Sequence, residues 1–485
     1  MTEVQQETLV VRTLSNLTAA WRDIAQSAAR TVGLAKAPVS TEPDSLKRLM
    51  LDCLEARGGE VSARMRAAAL GRIYLEQDAE GRKRFLTVLA REFAVDAAAV
   101  EQAIDGYRAA AGDKERLHAE GRLRRALQPP RLRLLTQFNA LPEGVKFLVD
   151  LRADLLALRS DDPYLQGLDN DLRELLLSWF DTGFLDLREI DWDSPASLLE
   201  KLVAYEAVHQ ITSWQDLRNR LDSDRRCYAL FHPRMPEEPL AFVEVALVRG
   251  MAGSIQALLD EKAPQMDPQQ ADAAIFYSIS NTQKGLKQIS FGDFLIKRAV
   301  QALSREFPKL KIFATLSPIP GFRRWLEALP EEELAAAFQP EDLAELPALT
   351  KERGLKKTVG DLLGNGGWAK DASVAGALQR PLMALAARYL VSKRGDGQPL
   401  DAVARFHLRN GARLERLNWL GDVSVNGMAQ SCGLMVNYRY VVDEIEANHE
   451  AYMKDGAIAL GQDMRGLLRS LRDASGTRLR LLGIG

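Results

Sequence analysis

Three regions of this 485-residue chain carry residues whose types and spacing suit chemistry. The first is Asn281-Thr-Gln-Lys-Gly-Leu-Lys-Gln-Ile-Ser290, which lies between a β-branched apolar run and an amphipathic one. A loop that leaves a strand and opens a helix offers backbone N–H groups to an anion such as phosphate. Gly285 lets the backbone approach a ligand closely, Lys284 and Lys287 add positive charge, and Ser290 suits the cap of the helix. The loop has neither a Walker A nor a GxGxxG pattern, which disfavours those NTPase and dinucleotide sites. An ordinary strand-to-helix turn with solvated lysines explains the same residues, and spacing leaves both readings open.

The second region is Lys311-Ile-Phe-Ala-Thr-Leu-Ser317-Pro-Ile-Pro320. Ser317 follows a short apolar strand, at the strand end where open α/β sheets place ligands. The prolines after it stop the ladder and fix the direction of the chain. The third region runs from Ala402 to Tyr440. Ala402–Arg409 reads as an alternating strand that turns His407 away from Phe406, and an imidazole exchanges a proton near neutral pH. Asn410-Gly411 then reads as a type I′ hairpin turn into a partner strand at 412–419. Further on, small and polar residues between Ser424 and Asn437 would admit a bulky ligand, and Tyr440 offers a hydrogen bond. Each residue also has a plain reading: a turn serine, a satisfied half-buried histidine, a close-packed loop.

Other chemistries find little support. Cys53, Cys227 and Cys432 form no CxxC and are too few for a disulfide framework, which suits a reducing compartment. Cys432 reads as a small buried filler. The five histidines never pair at HxxxH spacing, so nothing argues for a metal. Lys plus Arg number 64 and Asp plus Glu 66, a net charge of −2, so there is no global field for nucleic acid. No uninterrupted apolar run of about 18 residues predicts a membrane span. The acidic start lacks a secretory core and RLLGIG is no peroxisomal tail, which leaves the cytoplasm as the expected location.

The elements that would position these residues fall into two parts. To about residue 190 the chain is rich in Ala, Leu, Arg and Glu and spaces its apolar residues by three and four. Phe85, Val88, Leu89 and Phe93 share one helical face, and Asp96 suits an N-cap. A helical bundle over 1–190 is expected, with a second domain over 191–485. There, Cys227–Phe231 and Ala241–Val248 read as a hairpin joined by the turn-rich His232–Pro239, and Ala273–Ser280 as a third strand. A helix at 291–307 buries Ile296, Val300, Leu303 and Phe307, and its connection to the strand at 311–316 makes a parallel crossover. Residues 331–400 read as helical apart from Gly364-Asn-Gly-Gly367, and a helix at 456–475 closes the chain.

Blocks of this second half recur together elsewhere. CYALFHPRMPEEPLAFVEVAL, AAIFYSISNTQKGL, FGDFLIKRAVQALSREFPKL, FATLSPIPGFRRWL, VARFHLRNGARLERLNWLGDVS and SCGLMVNYRY stand in order between residues 227 and 440. In these the chain resembles the malonyl-CoA decarboxylases. The resemblance implies an α+β protein, with an all-helical domain followed by a mixed-sheet catalytic domain of the GNAT acetyltransferase type. It implies conversion of malonyl-CoA to acetyl-CoA and CO2 with no metal or organic cofactor. The family's catalytic serine and histidine fall on Ser317 and His407, and a family tyrosine on Tyr440. The loop for the CoA pyrophosphate falls on Gln283, Lys284, Gly285 and Leu286. Some relatives carry Glu-Leu-Gly where this chain has Ser290-Phe-Gly292, so no role for that glutamate transfers. The family forms oligomers, and a homo-oligomer, with a tetramer among the options, is expected through residues 1–190.

Decarboxylation of a 3-carboxy thioester asks three things of a site. It needs donors aimed at the developing enolate oxygen, a carboxylate held with its C–C bond aligned to the carbonyl π system, and a proton source near the α-carbon. An N-acyltransferase on the same fold, or a CoA-binding regulator without turnover, are the alternatives the residues leave standing.

Overall fold

The structure is a computed structural model that describes residue 21 and residues 42–475, apart from 56–58, 159, 290, 346–353 and 365–366. The proposed Ser290 cap and both chain ends lie outside the described residues. Among the described residues eight helices precede the sheet: α1 (Pro43–Leu54), α2 (Gly59–Leu75), α3 (Ala79–Glu92), α4 (Ala97–Ala109), α5 (Asp113–Ala126), α6 (Pro130–Asn139), α7 (Gly144–Ala157) and α8 (Pro163–Trp179). Their ends follow local chemistry. The side chains of Asp78, Asp96 and Asp162 accept hydrogen bonds from the first free N–H groups of α3, α4 and α8. Pro130 opens α6 at a position whose N–H would have no helical partner anyway. The expected face of α3 is buried, and Phe85, Leu89 and Phe93 join Trp21, Tyr74, Phe138 and Phe147 in one core. The α4–α5 hairpin is different: α4 buries no residue and α5 only Ala119, while Tyr107, Leu117 and Leu127 are exposed.

The sheet begins at β1 (Asp186–Ile190), inside the stretch read as helical, and continues through β2 (Arg225–His232), β3 (Met235–Val248), β4 (Ala273–Asn281), β5 (Ile312–Thr315), β6 (Ser317–Pro318), β7 (Arg413–Asn418) and β8 (Met435–Tyr440). Its order is β1-β2-β3-β4-β5-β8-β6, with β7 also on β8. The β2–β3 hairpin forms as expected but is tighter, because β3 already starts at Met235 within the stretch read as a connection. β4 and β5 are the parallel pair. Helices α9 (Ala196–Tyr205) and α10 (Trp214–Arg220) pack the Phe231 and Phe242 face of the sheet. The other face carries Val243, Phe276, Phe313, Val436 and Tyr438. Residues of α11 (Gly292–Glu306), α12 (Phe322–Ala328), α13 (Ala372–Val391) and α14 (Ala402–Arg409) pack into the core on that face.

Two irregularities shape the middle of the sheet. Glu244 pairs with Ser278 and Val245 with Phe276, so Tyr277 is a bulge in β4. The β4–β5 ladder covers Ala273–Phe276 against Ile312–Thr315, and the Leu316 N–H still reaches the Phe276 carbonyl at 3.0 Å. Beyond that point β6 pairs with β8 and β4 runs on alone along this edge to Asn281. The strands therefore part beside Ser317.

The stretch 402–409, read as a strand, is helix α14. Its first turn is capped by Asp401, whose side chain accepts from the Ala404 N–H at 2.8 Å. Its buried residues are Ala404, His407 and Leu408, a spacing of three and four rather than two. Asn410-Gly411 is not a hairpin turn but the end of this helix. Asn410 keeps φ at −81° and Gly411 takes φ of +78°. The Gly411 N–H bonds to the Leu408 carbonyl and the Ala412 N–H to the His407 carbonyl, the paired closure of a Schellman end. A Cβ at Gly411 would also sit 2.1 Å from the Ile445 carbonyl oxygen.

Candidate active site

Ser317, His407 and Tyr440 meet on the α14-covered face of the sheet. Phe313, Thr315 and Ser317 alternate toward that face, as do Val436, Tyr438 and Tyr440 of β8. His407 Nε2 lies 3.3 Å from Ser317 Oγ, and His407 Nδ1 lies 2.8 Å from the Tyr440 hydroxyl. Ser317 Oγ also donates to Thr315 Oγ1 at 2.8 Å, which in turn accepts the Tyr438 N–H at 3.2 Å. The imidazole stacks on the Tyr438 ring, with centroids 4.5 Å apart and planes 24° apart. All of these side chains are buried.

Bonding of this kind assigns directions. With Ser317 donating to Thr315, its oxygen accepts from His407 Nε2–H, and Nδ1 then accepts the Tyr440 hydroxyl proton. The imidazole is neutral: burial alone pushes its pKa down to about 3. The arrangement is thus a chain of uncharged donors leading from Tyr440 through His407 to Ser317, ending where β4 and β5 part.

The supports of this chain come from distant segments. Gly321 follows the Ser317-Pro-Ile-Pro turn, and a Cβ there would lie 2.2 Å from the Tyr389 hydroxyl. That hydroxyl donates to Asp401 at 3.4 Å, and Asp401 caps the helix carrying His407. Asn437 ties the strands together. Its amide donates to the Thr315 carbonyl at 2.7 Å and the Ala252 carbonyl at 3.0 Å, and its oxygen accepts from Asn418 at 2.8 Å. Sequence reasoning passed over Thr315 and Asn437. Thr315 was findable, since a residue two before Ser317 on a strand shares its face. Asn437 was not, because its partners are scattered.

The loop after β4 is a separate place in the structure. Lys284–Leu286 form a single 3-10 turn. Lys284 and Lys287 are exposed, while Gln283, Gly285 and Leu286 are buried, and Gln283 donates to the Pro239 carbonyl at 3.1 Å. The space beside Gly285 expected for a ligand is taken by α7: a Cβ at Gly285 would stand 1.8 Å from the Val149 carbonyl oxygen. A shallow cavity of about 350 Å³ opens on the loop, lined by Gln283, Lys284, Lys287, Gln288 and Phe291 among others. A cavity of about 770 Å³ lies between the α9–α10 junction and residues 422–426, with Glu206, His209 and Asp422 in its wall. None of the eight residues singled out for catalysis or CoA binding lines it, so volume alone does not mark the site. Cys432 is a buried filler, its thiol pushed up to about 11 chiefly by burial.

Fold and site together define an α+β protein, helical first, whose second part is a mixed sheet holding a buried serine–histidine–tyrosine chain. Residues 183–478 match the malonyl-CoA decarboxylase C-terminal domain and residues 93–180 the malonyl-CoA decarboxylase N-terminal domain. The mitochondrial malonyl-CoA decarboxylase of Rattus norvegicus is 39% identical over 373 residues, 74% of this chain and 75% of the rat protein. The crystal structure of malonyl-CoA decarboxylase from Rhodopseudomonas palustris is 43% identical, with a TM-score of 0.77, over 88% of this chain and 100% of that one. The enzyme structure from Agrobacterium vitis is 42% identical, also at 0.77, over 87% and 99%. The chain belongs to the malonyl-CoA decarboxylase family.

Proposed function

We propose that this chain is a carboxy-lyase that converts malonyl-CoA to acetyl-CoA and CO2 at Ser317, His407 and Tyr440. The observation that carries the site is the hydrogen-bonded chain from Tyr440 through His407 to Ser317, beside the parting of β4 and β5. Breaking the bond between the α-carbon and the carboxylate sends its electron pair to the thioester carbonyl, giving CO2 and an enolate. A proton on the α-carbon then completes acetyl-CoA. In this reading the Ser317 hydroxyl, which donates to Thr315 in the free protein, turns to the malonyl group and stabilises the enolate oxygen as charge grows there. His407 holds the malonyl group in place and gives its Nε2 proton to the α-carbon as Nδ1 takes the Tyr440 hydroxyl proton, so the imidazole stays neutral. Burial removes water, which strengthens each of these hydrogen bonds.

In the same reading the loop Gln283–Lys287 receives the CoA diphosphate, with Lys284 and Lys287 as charged partners. The exposed Tyr107, Leu117 and Leu127 on the α4–α5 hairpin support a homo-oligomer built through the helical part, since two helices with almost no buried residue have little to hold them alone. Three free, buried cysteines suit a reducing compartment such as the cytoplasm. Among the described residues no helix is long and apolar enough to cross a membrane.

The test is to incubate the protein with malonyl-CoA alone, with and without a chelator, and to measure acetyl-CoA and CO2. Both should form in equal amounts in both samples. Turnover that requires an added amine would point to acyl transfer, and loss of turnover with chelator would overturn the metal-free mechanism.

A further inference from the structure

Arg152 of helix α7 is fully buried and reaches out of the helical part into the loop after β4. Its Nη1 donates to the Gly285 carbonyl at 2.7 Å and to the Lys287 carbonyl at 2.9 Å. Its Nε donates to Asp169 of α8 at 2.8 Å, which fixes the plane of the guanidinium. One turn earlier on α7, the Val149 carbonyl presses against Cα of Gly285, where no side chain would fit.

These contacts set the direction of a peptide. In a planar trans peptide the carbonyl and the following N–H point opposite ways. Holding the Lys287 carbonyl toward α7 therefore turns the Gln288 N–H away from α7. That N–H has no hydrogen-bond partner among the described residues, and neither do those of Gln283, Lys284 and Gly285. Gln288 also sits at φ of +69°, a left-handed conformation that costs a non-glycine residue of order 1 kcal/mol or more. Strain of this kind persists only where surrounding contacts impose it. Arg152 is the contact on the preceding carbonyl. Lys284, Lys287 and Gln288 all line the cavity on the loop.

We propose that Arg152 is a positioning residue for substrate binding: from the helical part it holds the loop after β4 in the shape that presents its free N–H groups to the substrate's diphosphate. The proposal rests on the reading of this loop as the CoA diphosphate site. Arg152 touches no substrate. It acts through two carbonyls, which a lysine, with one point of charge and no planar fork, would not hold together with Asp169.

The experiment compares two substrates in the full-length protein: malonyl-CoA, and malonyl-pantetheine, which lacks the diphosphate and the nucleotide. Arg152→Met should raise KM for malonyl-CoA by about tenfold or more while kcat stays within about threefold, the signature of lost binding rather than lost chemistry. Its kcat/KM for malonyl-pantetheine should stay within about twofold of wild type. An equal fall on both substrates would show a merely structural role and overturn the proposal. So would an unchanged KM for malonyl-CoA. Should Arg152→Met not fold, Asp169→Asn keeps the arginine and loosens its plane. It should raise KM for malonyl-CoA alone by about two- to fivefold, and no selective rise there would equally overturn the proposal. Lys284→Ala/Lys287→Ala separates the two ideas. Unchanged inhibition by free CoA in that variant would remove the loop reading and the proposal with it. Weakened inhibition there, beside a wild-type KM in folded Arg152→Met, would overturn the role of Arg152 alone.

Discussion

At the scale of single residues, the roles proposed for Ser317 and His407 make separable predictions. Ser317→Ala removes a hydroxyl but little volume, and His407→Asn keeps hydrogen bonding but loses the imidazole. Each should lower kcat by roughly 100-fold or more, the scale of a lost oxyanion donor or general acid. The double variant should lose less than the product, because groups acting as a unit are not additive. Near-wild-type kcat in folded His407→Asn would return His407 to a satisfied core histidine. The burial of His407 also makes a prediction about acid. The unfolded chain protonates this imidazole near its ordinary 6.5, and the folded protein only near 3. As pH falls from about 6.5 toward 3, the unfolded state takes up a proton that the folded state refuses, so stability is lost with acid. Melting temperatures of wild type and His407→Gln at pH 7 and pH 4.5 check this, and the variant should lose less. It should still lose some, because burial holds His209 down to about 4 as well. An identical loss in both proteins would mean that His407 is not held neutral.

At the scale of elements, α14 shows what was and was not legible in the chain. Both halves of the β4–β5 crossover and the β2–β3 hairpin follow from apolar runs bounded by Pro and Gly. The eight residues of α14 fit alternation as well as helical spacing, and Asn-Gly fits a hairpin as well as a helix end. What decides between them is tertiary: His407 and Leu408 are buried against the sheet, and Gly411 is wedged against Ile445. Asp401, three residues before Ala404, was the local signal for a helix. The reach of Arg152 to a loop 133 residues later has no local signal at all. Asp401→Ala should therefore matter twice. Losing the cap should cost about 1 kcal/mol of stability. Because α14 carries His407, kcat should fall several-fold as well, beyond what a matched surface cap such as Asp96→Ala produces. Thermal melts and turnover measured side by side would test this, and equal kcat in the two cap variants would show that the seating of α14 does not limit the reaction. Gly285→Val is expected to disrupt packing against α7, so its failure to fold would say nothing about CoA.

At the scale of the whole molecule, the helical part and the sheet are bound by more than chain continuity: Val145, Val149, Leu176 and Phe180 belong to the same apolar cluster as the sheet strands. The α4–α5 hairpin stands apart from this. Leu117→Glu/Leu127→Glu should lower the mass seen by light scattering at micromolar concentration while leaving kcat of the dissociated protein measurable. A monomeric wild type would refute assembly through this hairpin. Finally, the three thiols fall in three different places. Cys53 lies in the core of the helical bundle, Cys227 under α9 and α10, and Cys432 in the cluster on the α14-covered face. Burial raises the pKa of all three, so none offers a thiolate to an alkylating reagent in the folded protein. Each becomes a timer for the opening of its own region. Brief exposure to iodoacetamide in rising denaturant, read by peptide mass, would therefore report the order in which bundle, sheet and site let go, with no mutation made in the chain.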